Sequence, residues 1–287
     1  MAGVPTRLEM KAFVLTYHSH NIAGTTYETN DHVAFASDLR TLTHLGARIV
    51  PLERIVESLF DGLRGDDRPC VGLTFDDGPA FDYADFEHRS FGPQRSFLNI
   101  LRDFRAEAGP EAQPELHATS FVIASPEARR AMERADDCGY VDIPGWLTDA
   151  WWNDAIDTGL MAVGNHSWDH VHHAVEPLAE PPQARDDFSR VDTYEAADRE
   201  IRQATIYIRS RTRGRCRYFA YPFGHVNRYL AEEYLPSRRA EHGMAAAFAV
   251  GGRAIAPDDS IWCIPRLVCG HHWRSSEALE ALLARTP

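Results

Sequence analysis

Lysine is nearly absent from this chain of 287 residues, although arginine is abundant. Lys11 is the single lysine, so Schiff-base chemistry on an internal lysine amine is excluded. Cysteine is also sparse: there are five, an odd number, and no CxxC spacing. Neither a disulfide framework nor a thiolate zinc site is therefore indicated. We expect reduced and mostly buried thiols at Cys70, Cys138, Cys216, Cys263 and Cys269.

Long apolar segments are missing as well. The first residues, MAGVPTRLEMKAF, lack the basic flank and apolar stretch of a secretory signal, and no later run approaches membrane-spanning length. We therefore expect a cytoplasmic protein without a membrane span. The formal net charge of -12 opposes nonspecific binding to a phosphate backbone, so nucleic acid is not an expected partner. The oligomeric state is not indicated by composition.

What is present is the composition of a folded globular protein. Hydrophobic residues make up 44% of the chain and charged residues 25%, which excludes disordered and fibrous classes. No internal repeat or low-complexity linker divides the sequence, and its length suits one α/β barrel. We therefore predict a single domain over residues 1–287.

Strand-like and helical segments alternate along the chain, which predicts a parallel sheet, either open or closed into a barrel. Apolar runs bounded by Gly, Pro or Asp predict strands at Ala12–Tyr17, Val71–Phe75, Ala118–Ala124, Leu160–Val163, Tyr218–Tyr221, Ala246–Val250 and Ile261–Val268. Apolar residues at three- and four-residue spacing predict helices at His32–Leu45, Ser96–Ala108, Pro126–Asp137, Thr193–Arg211, Asn227–His242 and Ser275–Arg285. The Pro-rich stretch Glu176–Asp187 is interpreted as a connector, with a rim loop over the site as the alternative.

The first chemical motif is VGLTFDDG, at Val71–Gly78, where an apolar strand ends in Asp76, Asp77 and a glycine turn. Parallel α/β folds place their active groups at such strand ends. Adjacent residues there project in different directions, so one carboxylate can ligate a cation while the other faces substrate. Asp-Asp-Gly alone is also a common turn, so the motif needs support from elsewhere.

The second motif is GNHSWDHVHH, which follows the predicted strand at Leu160–Val163. His166 and His170 are four residues apart, a spacing that on a helical turn puts both imidazoles on one side and within reach of one divalent ion. Two imidazoles and one carboxylate leave coordination positions open, as a catalytic zinc requires. Zinc is the expected metal, with cobalt and nickel as alternatives.

The third motif is RYFAYPFG at Arg217–Gly224, a strand that turns sharply at Pro222 and Gly224. Glycine permits close approach of the backbone, so the N–H of Phe223 is a candidate donor to a developing oxyanion.

Together the three motifs resemble the polysaccharide deacetylase family, the NodB-homology carbohydrate esterases, over roughly Lys11 to Leu283. The resemblance implies a single distorted (β/α)7-type barrel. It also implies a metal-dependent deacetylase that hydrolyses the N-acetyl amide of an amino sugar or glycoconjugate. An N-acetylated carbohydrate is thus the implied substrate, with a small amide as the alternative.

Residue by residue, the resemblance implies that Asp76 is the general base. It implies that Asp77, His166 and His170 bind the metal, and that the backbone N–H of Phe223 helps to stabilise the oxyanion.

The third motif departs from the commonest family pattern, in which an arginine two residues before the proline holds the catalytic base. Ala220 occupies that position here. Arg266 is the first candidate for the missing cation and Arg217 the second, because a guanidinium beside Asp76 would keep it ionised and oriented. A surface or structural role for Arg266 is the competing interpretation.

The N-terminal strand, FVLTYHSHN, is similar to the first strand of a permuted branch of the family that includes poly-N-acetylglucosamine deacetylases. By that comparison His18 is the general acid that protonates the leaving amine, for which an imidazole near neutral pKa is suited. His20, His271 and His272 are the competing candidates.

Aromatic residues near the motifs are candidates for stacking on a sugar, and core packing is the alternative for each. The predicted substrate-binding side chains are Trp168, Tyr221 and Trp273. Two other functions stay open: hydrolysis of a small-molecule or cyclic amide, and a non-catalytic carbohydrate-binding relative.

Overall fold

The computed structural model describes residues 11–61, 68–135, 140, 143–176 and 185–284. Its strands are β1 Ala12–Tyr17, β2 Arg48–Ile49, β3 Cys70–Phe75, β4 Phe86–His88, β5 Gly92–Gln94, β6 Ala118–Val122, β7 Met161–Asn165, β8 Tyr218–Ala220, β9 Ala246–Val250 and β10 Ile264–Val268. Its α-helices are α1 Asp31–His44, α2 Leu52–Asp61, α3 Phe97–Ala108, α4 Pro126–Ala135, α5 Trp152–Asp157, α6 Tyr194–Ala197, α7 Ala204–Arg211, α8 Leu235–Ser237, α9 Arg239–His242 and α10 Ser276–Ala284.

Seven parallel strands close into a barrel in the order β1, β3, β6, β7, β8, β9, β10. Closure comes from β1, which pairs with β10 on one side and with β3 along its whole length on the other. The short β2 adds to the lower end of β3, and β4 and β5 form a separate antiparallel hairpin. The predicted (β/α)7-type barrel is thus confirmed, and of the two sheet forms the closed one is observed.

Side chains along each barrel strand alternate between the helices outside and the barrel interior. On β1, Phe13, Leu15 and Tyr17 join the large outer core, whereas Val14 joins a smaller inner one. Helix α2 contributes to the inner core, and Gly72 makes room for it, because a Cβ there would lie 2.8 Å from Leu52 Cδ2. Burial on both faces explains why these strands read as continuous apolar runs.

The seven predicted strands are the seven barrel strands, and Ala12–Tyr17 and Ala246–Val250 agree at both ends. The predicted helix Thr193–Arg211 is observed as α6 and α7 joined by a π-helical stretch, Asp198–Gln203. The predicted helix Asn227–His242 is broken into short pieces near Pro236, which lacks the backbone N–H that a continuous helix needs.

Strand β2, helix α5 and the β4–β5 hairpin were not predicted, since segments this short show little periodicity. Helix α2 was also missed, although its apolar residues Leu52, Ile55, Val56 and Leu59 have helical spacing. The Pro-rich connector lies outside the described residues at 177–184. Among the helices that the structure describes, none is both long and apolar enough to cross a membrane. Free thiols are buried at Cys70, Cys216 and Cys269 and partly buried at Cys263, whereas Cys138 lies outside the described ranges.

Candidate active site

The three motifs converge on a cleft of about 470 Å³ at the carboxyl ends of the barrel strands. Barrels of this kind carry their reacting groups at this end, because the loops after the strands meet there. The cleft is lined by His18, His20, Asn21, Asp76, Asp77, His166, His170, Phe223, Gly224, Val250, Val268 and His271.

Asp76 is held by Arg266, which projects from β10 into the barrel. The guanidinium donates from Nη1 to Oδ1 at 2.7 Å and from Nη2 to Oδ2 at 2.8 Å, a bidentate pair. Burial alone would raise the pKa of Asp76, but the charges of Arg266 and His166 and the Arg266 hydrogen bonds outweigh it and hold that pKa below its usual range.

The structure therefore places Arg266, and not Arg217, beside Asp76. Arg217 lies at the opposite end of β8 and pairs with Glu53 on the exposed surface. The Arg266 side chain is fully buried and its guanidinium lies 5.5 Å from the centre of the Phe121 ring. Ala220 is buried on β8. The cation that β8 lacks at this position is supplied by Arg266 from β10, two strands away in the barrel.

Thr74, on the strand that precedes Asp76, also accepts a hydrogen bond from Arg266. Its hydroxyl donates to the Leu15 carbonyl at 2.9 Å, which leaves the oxygen free to accept from Thr16 Oγ1 at 2.9 Å and from Arg266 Nη1 at 3.5 Å. The polar upper interior is thus connected through hydrogen bonds.

Asp77, His166 and His170 form the candidate metal centre. The segment between the two histidines is an irregular turn with positive φ at Ser167 and His170, and not the helical turn expected from their spacing. One ligand atom from each lies within 4.8 Å of the others. Asp77 Oδ1 lies 3.3 Å from His170 Nε2 and 3.5 Å from His166 Nε2. The Nδ1 of His166 lies 2.9 Å from the Ala220 carbonyl, which only accepts, so Nδ1 carries the proton and Nε2 keeps its lone pair.

The protonation states of these side chains also favour the binding of a cation. Burial, the largest effect, lowers the pKa of His170 to about 3, so its imidazole is neutral and able to ligate. Burial raises the pKa of Asp77, but the neighbouring His170, His20 and His166 outweigh it and hold that pKa well below the usual range. The donor set of two neutral imidazoles and one carboxylate fits zinc, cobalt or nickel.

Backbone strain is concentrated at this site. Five non-glycine residues with positive φ lie in or beside the cleft motifs, at Asp77, Ser167, His170, Val171 and Phe223. Positive φ is unfavourable for side chains with a Cβ, most of all for a β-branched valine. Such strain persists only where surrounding contacts impose it, and here it accompanies the residues singled out for chemistry.

His18 follows β1 and faces the same cleft as Asp76. Its backbone N–H donates to Asp31 Oδ2 at 2.8 Å, which fixes the start of the loop. The next side chain, Ser19, donates to the buried Asp82 at 2.5 Å, and Ser120 donates to the other oxygen of Asp82 at 2.6 Å. Burial raises the pKa of Asp82 to about 8 despite these two hydrogen bonds.

The structure separates the competing histidines. His20 also lines the cleft, and its Nε2 lies 3.7 Å from Asp77 Oδ2. Burial lowers the pKa of His20 to about 4. That pKa is too low for a general acid, which must hold a proton near neutral pH. His272 does not line the cleft, and its Nδ1 accepts from the Val268 N–H. His271 lines the cleft beside His18 and remains a candidate.

Phe223 lies in a tight turn after β8 with φ of 58°. Its ring is 42% exposed at the rim of the cleft and packs edge-on against His170, with ring centres 4.4 Å apart. Its backbone N–H donates no hydrogen bond to any described residue. A free donor held in a strained turn beside the metal ligands suits an oxyanion.

The three aromatic residues predicted to bind substrate do not line the cleft. Tyr221 is fully buried and donates to the Trp262 carbonyl at 2.8 Å. Trp273 is 2% exposed and donates to Asp38 at 3.0 Å. Trp168 is half-buried and packs edge-on against Tyr207. For Tyr221 and Trp273, proximity to the motifs in sequence was misleading, because both side chains lie in the core, whereas Trp168 packs against the edge of the core.

The chain is similar to known proteins in part of its sequence and in its fold. The family model of polysaccharide deacetylases matches residues 111–236, a range that includes His166, His170 and Phe223. The match covers less than half of the chain, and Asp76, Asp77, His18 and Arg266 lie outside it. The resemblance predicted from the motifs is confirmed. No curated protein sequence matches the chain.

Several solved structures share the fold of this chain. A putative polysaccharide deacetylase, BA0330 from Bacillus anthracis, has a TM-score of 0.61 at 16% identity, covering 96% of this chain and 69% of that one. The Streptococcus pyogenes deacetylase PplD, in complex with acetate, has a TM-score of 0.64 at 15% identity, covering 96% and 100%. IcaB from Ammonifex degensii has a TM-score of 0.61 at 16% identity, covering 96% and 98%. At these identities the likeness shows a common fold.

The sequence motifs did not reveal the residues that act on the site through other residues. Thr74, Ser19 and Asp82 belong to polar networks whose partners lie far away in sequence. Val250 and Val268, at the ends of β9 and β10, form part of the cleft wall. Their position at strand ends was the available indication, but an apolar residue there also fits a core position.

Proposed function

We propose that this protein is a metal-dependent deacetylase that hydrolyses the N-acetyl amide of an amino sugar or glycoconjugate. The observation that carries the proposal is the placement of an arginine-held carboxylate, Asp76, in one cleft with the donor set of Asp77, His166 and His170. The match to the polysaccharide deacetylase family supports the reaction class.

The metal would be held by Asp77, His166 and His170, with zinc as the expected ion and cobalt or nickel as alternatives. When bound, a divalent ion supplies Lewis-acid polarisation of the amide carbonyl. His166 is oriented for this role by its hydrogen bond to the Ala220 carbonyl.

Asp76 is the proposed general base and takes a proton from the attacking water. A base must be ionised at the working pH, and Arg266 ensures this by holding the pKa of Asp76 below its usual range. The same bidentate pair fixes the direction of the carboxylate. Arg266 is therefore proposed to support the base and not to contact the substrate.

His18 is the proposed general acid, which gives a proton to the amide nitrogen as the C–N bond breaks. It lines the cleft with Asp76, whereas the low pKa of His20 argues against that histidine. The free N–H of Phe223 is proposed to donate to the oxyanion that precedes bond cleavage. Acetate and a free amine are the products.

The substrate is proposed to be an N-acetylated carbohydrate, in keeping with the family match and with the acetate complex of the similar streptococcal deacetylase. One observation favours a second candidate, a small non-polymeric amide. Of the described residues lining the cleft, only Phe223 offers an aromatic ring other than imidazole, so no Tyr or Trp platform for a long sugar chain is present among them.

Acetate release from N-acetylglucosamine oligomers, measured beside a panel of small amides, tests the proposal. We expect turnover of at least one N-acetylated sugar. Turnover of small or cyclic amides alone would establish the second candidate. Saturable binding of the oligomers without release of acetate from any compound would establish a non-catalytic carbohydrate-binding protein and contradict both.

A further inference from the structure

The turn that begins at His166 and ends just after His170 has an unfavourable backbone. Ser167, His170 and Val171 all have positive φ, at 75°, 61° and 49°. A chain segment of this kind does not hold its shape alone, because each residue gains by relaxing to a common conformation. Contacts from outside the turn must therefore fix the relative positions of His166 and His170.

Glu200 provides one such contact. It is 2% exposed and lies in the π-helical stretch Asp198–Gln203. Its Oε2 accepts from the backbone N–H groups of Trp168 and Asp169, each at 3.2 Å. One carboxylate oxygen thus holds two consecutive peptide groups in the middle of the turn.

Asp169 holds the end of the turn from within. Its Oδ1 accepts from the backbone N–H of Val171 at 2.9 Å. Two arginines fix the carboxylate in place: Arg185 donates to both oxygens at 3.1 Å, and Arg199 donates to Oδ2. Arg199 also lies 3.2 Å from Glu200 Oε1, so the two carboxylates form one buried ionic cluster.

The same helical segment holds the beginning of the turn. Asn165 accepts from the Ser167 N–H at 2.7 Å and donates to the Ile201 carbonyl and the Thr205 hydroxyl, both at 2.9 Å. A π-helical stretch is often found at a functional position, since it redirects backbone groups away from the helix. Here the helix reaches both ends of the metal-binding turn.

This cluster has no part in the cleft lining, since Glu200, Asp169, Arg185 and Arg199 all lie behind the turn. Arg185 and Arg199 lie against the two acidic groups and offset part of the cost of burying them. Burial, with a smaller contribution from the Asp169 charge, still raises the pKa of Glu200 to about 8. Groups in this position act on the metal through the backbone that they hold, and not by contact with substrate.

We propose that Glu200, together with Asp169, is a positioning residue that sets the geometry of His166 and His170 for metal binding. The inference rests on the metal-binding part of the proposed function, but it does not depend on the identity of the substrate. Partners that orient metal ligands contribute to affinity even though they do not touch the ion.

The test uses the full chain freed of metal and compares Glu200→Ala with Glu200→Gln. Alanine removes the acceptor oxygen, whereas glutamine keeps one oxygen that can accept both N–H groups. We expect zinc affinity, measured by competition with a chromogenic chelator, to fall about 10- to 100-fold in Glu200→Ala and less in Glu200→Gln. At saturating zinc, KM should match the wild type.

Asp198→Asn is the matched control. Asp198 lies two residues from Glu200 in the same π-helical stretch and is also buried, but it pairs with Arg202 and not with the turn. We expect its zinc affinity to equal that of the wild type, even if its melting temperature falls.

Wild-type zinc affinity in Glu200→Ala with a lowered melting temperature would overturn the inference, because the cluster would then serve stability alone. If that variant does not fold, unchanged affinity in Glu200→Gln would have the same meaning. A wild type that binds zinc but releases no acetate would contradict the proposed reaction and leave this inference standing. A wild type that binds none of zinc, cobalt and nickel would overturn both.

Discussion

The interior of the barrel differs sharply between its two ends. The lower end is filled by apolar side chains, at Ala12, Val14, Ala246 and Ile264. The upper end is filled by hydrogen-bonded polar groups, at Thr16, Thr74, Asp76, His166 and Arg266. Strand β10 contributes to both ends. Ile264 is buried at the apolar end, and Arg266, two residues later, is buried at the polar end.

The two ends contribute different things to the molecule. Apolar burial stabilises the fold in proportion to the area removed from water. A buried ion pair such as Asp76–Arg266 offsets its own desolvation cost at best, and is therefore weak evidence for stability. The comparison suggests that the lower end maintains the barrel while the upper end is retained for chemistry. Substitutions at each end should separate these contributions.

The largest effect is expected from Asp76→Asn, which removes the proposed base and keeps the shape of the side chain. General base catalysis typically contributes about 10²- to 10⁴-fold, so kcat/KM for acetate release should fall by that range. Zinc content, measured by metal analysis, should stay near the wild-type value, since Asp76 is not a proposed ligand. Loss of the metal with retained activity would contradict the assignment. Asp85→Asn, on the surface beside Arg95, is the control with no expected loss.

Arg266→Met should be the next most damaging change. It leaves Asp76 buried without its partner, which costs on the order of 3–5 kcal/mol in the free energy of unfolding. The pKa of Asp76 should rise, because the charge and hydrogen bonds that lower it are removed. Chemical denaturation and the pH profile of kcat/KM measure these effects. If the variant has wild-type stability and the acid limb of its pH profile is not shifted, the Asp76–Arg266 ion pair is dispensable.

Asp82 should make the free energy of unfolding depend on pH. Its pKa is about 8 in the folded protein and about 3.9 in an unfolded chain, so folding favours the protonated form. That contribution is fully present below about pH 4 and is lost as pH rises through about 8, at up to about 1.4 kcal/mol per pH unit. Asp82→Asn mimics the neutral form, since an amide can accept from one serine and donate to the other.

Denaturation in urea at pH 5, 7 and 9 should therefore show a flatter pH dependence for Asp82→Asn than for the wild type. Asp85→Asn is again the control. The pKa of Asp85 is lowered by its hydrogen bonds with Ser96, Asn99 and Arg95, which outweigh its burial, so it contributes stability above about pH 4 that is lost only in acid. The same slope in wild type and Asp82→Asn between pH 5 and 9 would refute a buried neutral carboxyl.

The smallest effect is expected at the apolar end. Ile264→Val removes one methylene from the lower interior and should cost about 0.5–1.5 kcal/mol in the free energy of unfolding. Its kcat, KM and zinc affinity should equal those of the wild type. A clear change in kcat would mean that packing below Arg266 also tunes the site, and the division between the two ends would then be too simple.

Much of this arrangement was predictable from sequence, for reasons that differ between residues. Barrel strands such as Ala12–Tyr17 were predicted because burial on both faces produces an apolar run. Asp76, Asp77, His166 and His170 were found because short-range motifs bring them to strand ends. Arg266 was named as a candidate only because Ala220 left a cation unaccounted for.

Other features could not be read from the chain. Whether Tyr221 and Trp273 face the cleft or the core depends on rotamers and long-range packing, which a local pattern does not encode. Glu200 lies 34 residues after His166, and nothing in the helical pattern marks it as a partner of that turn. Its role follows from a π-helical stretch and from positive φ angles, which only the folded backbone reveals.

Metal removal and reconstitution test the central claim most directly. Acetate release from N-acetylglucosamine oligomers is measured on the purified chain, after dialysis against a chelator, and after return of one equivalent of zinc. We predict that chelation abolishes release and that zinc restores it, whereas the His166→Ala variant is not restored under the same conditions. Release of acetate that continues unchanged in the metal-free protein would contradict a metal-dependent deacetylase.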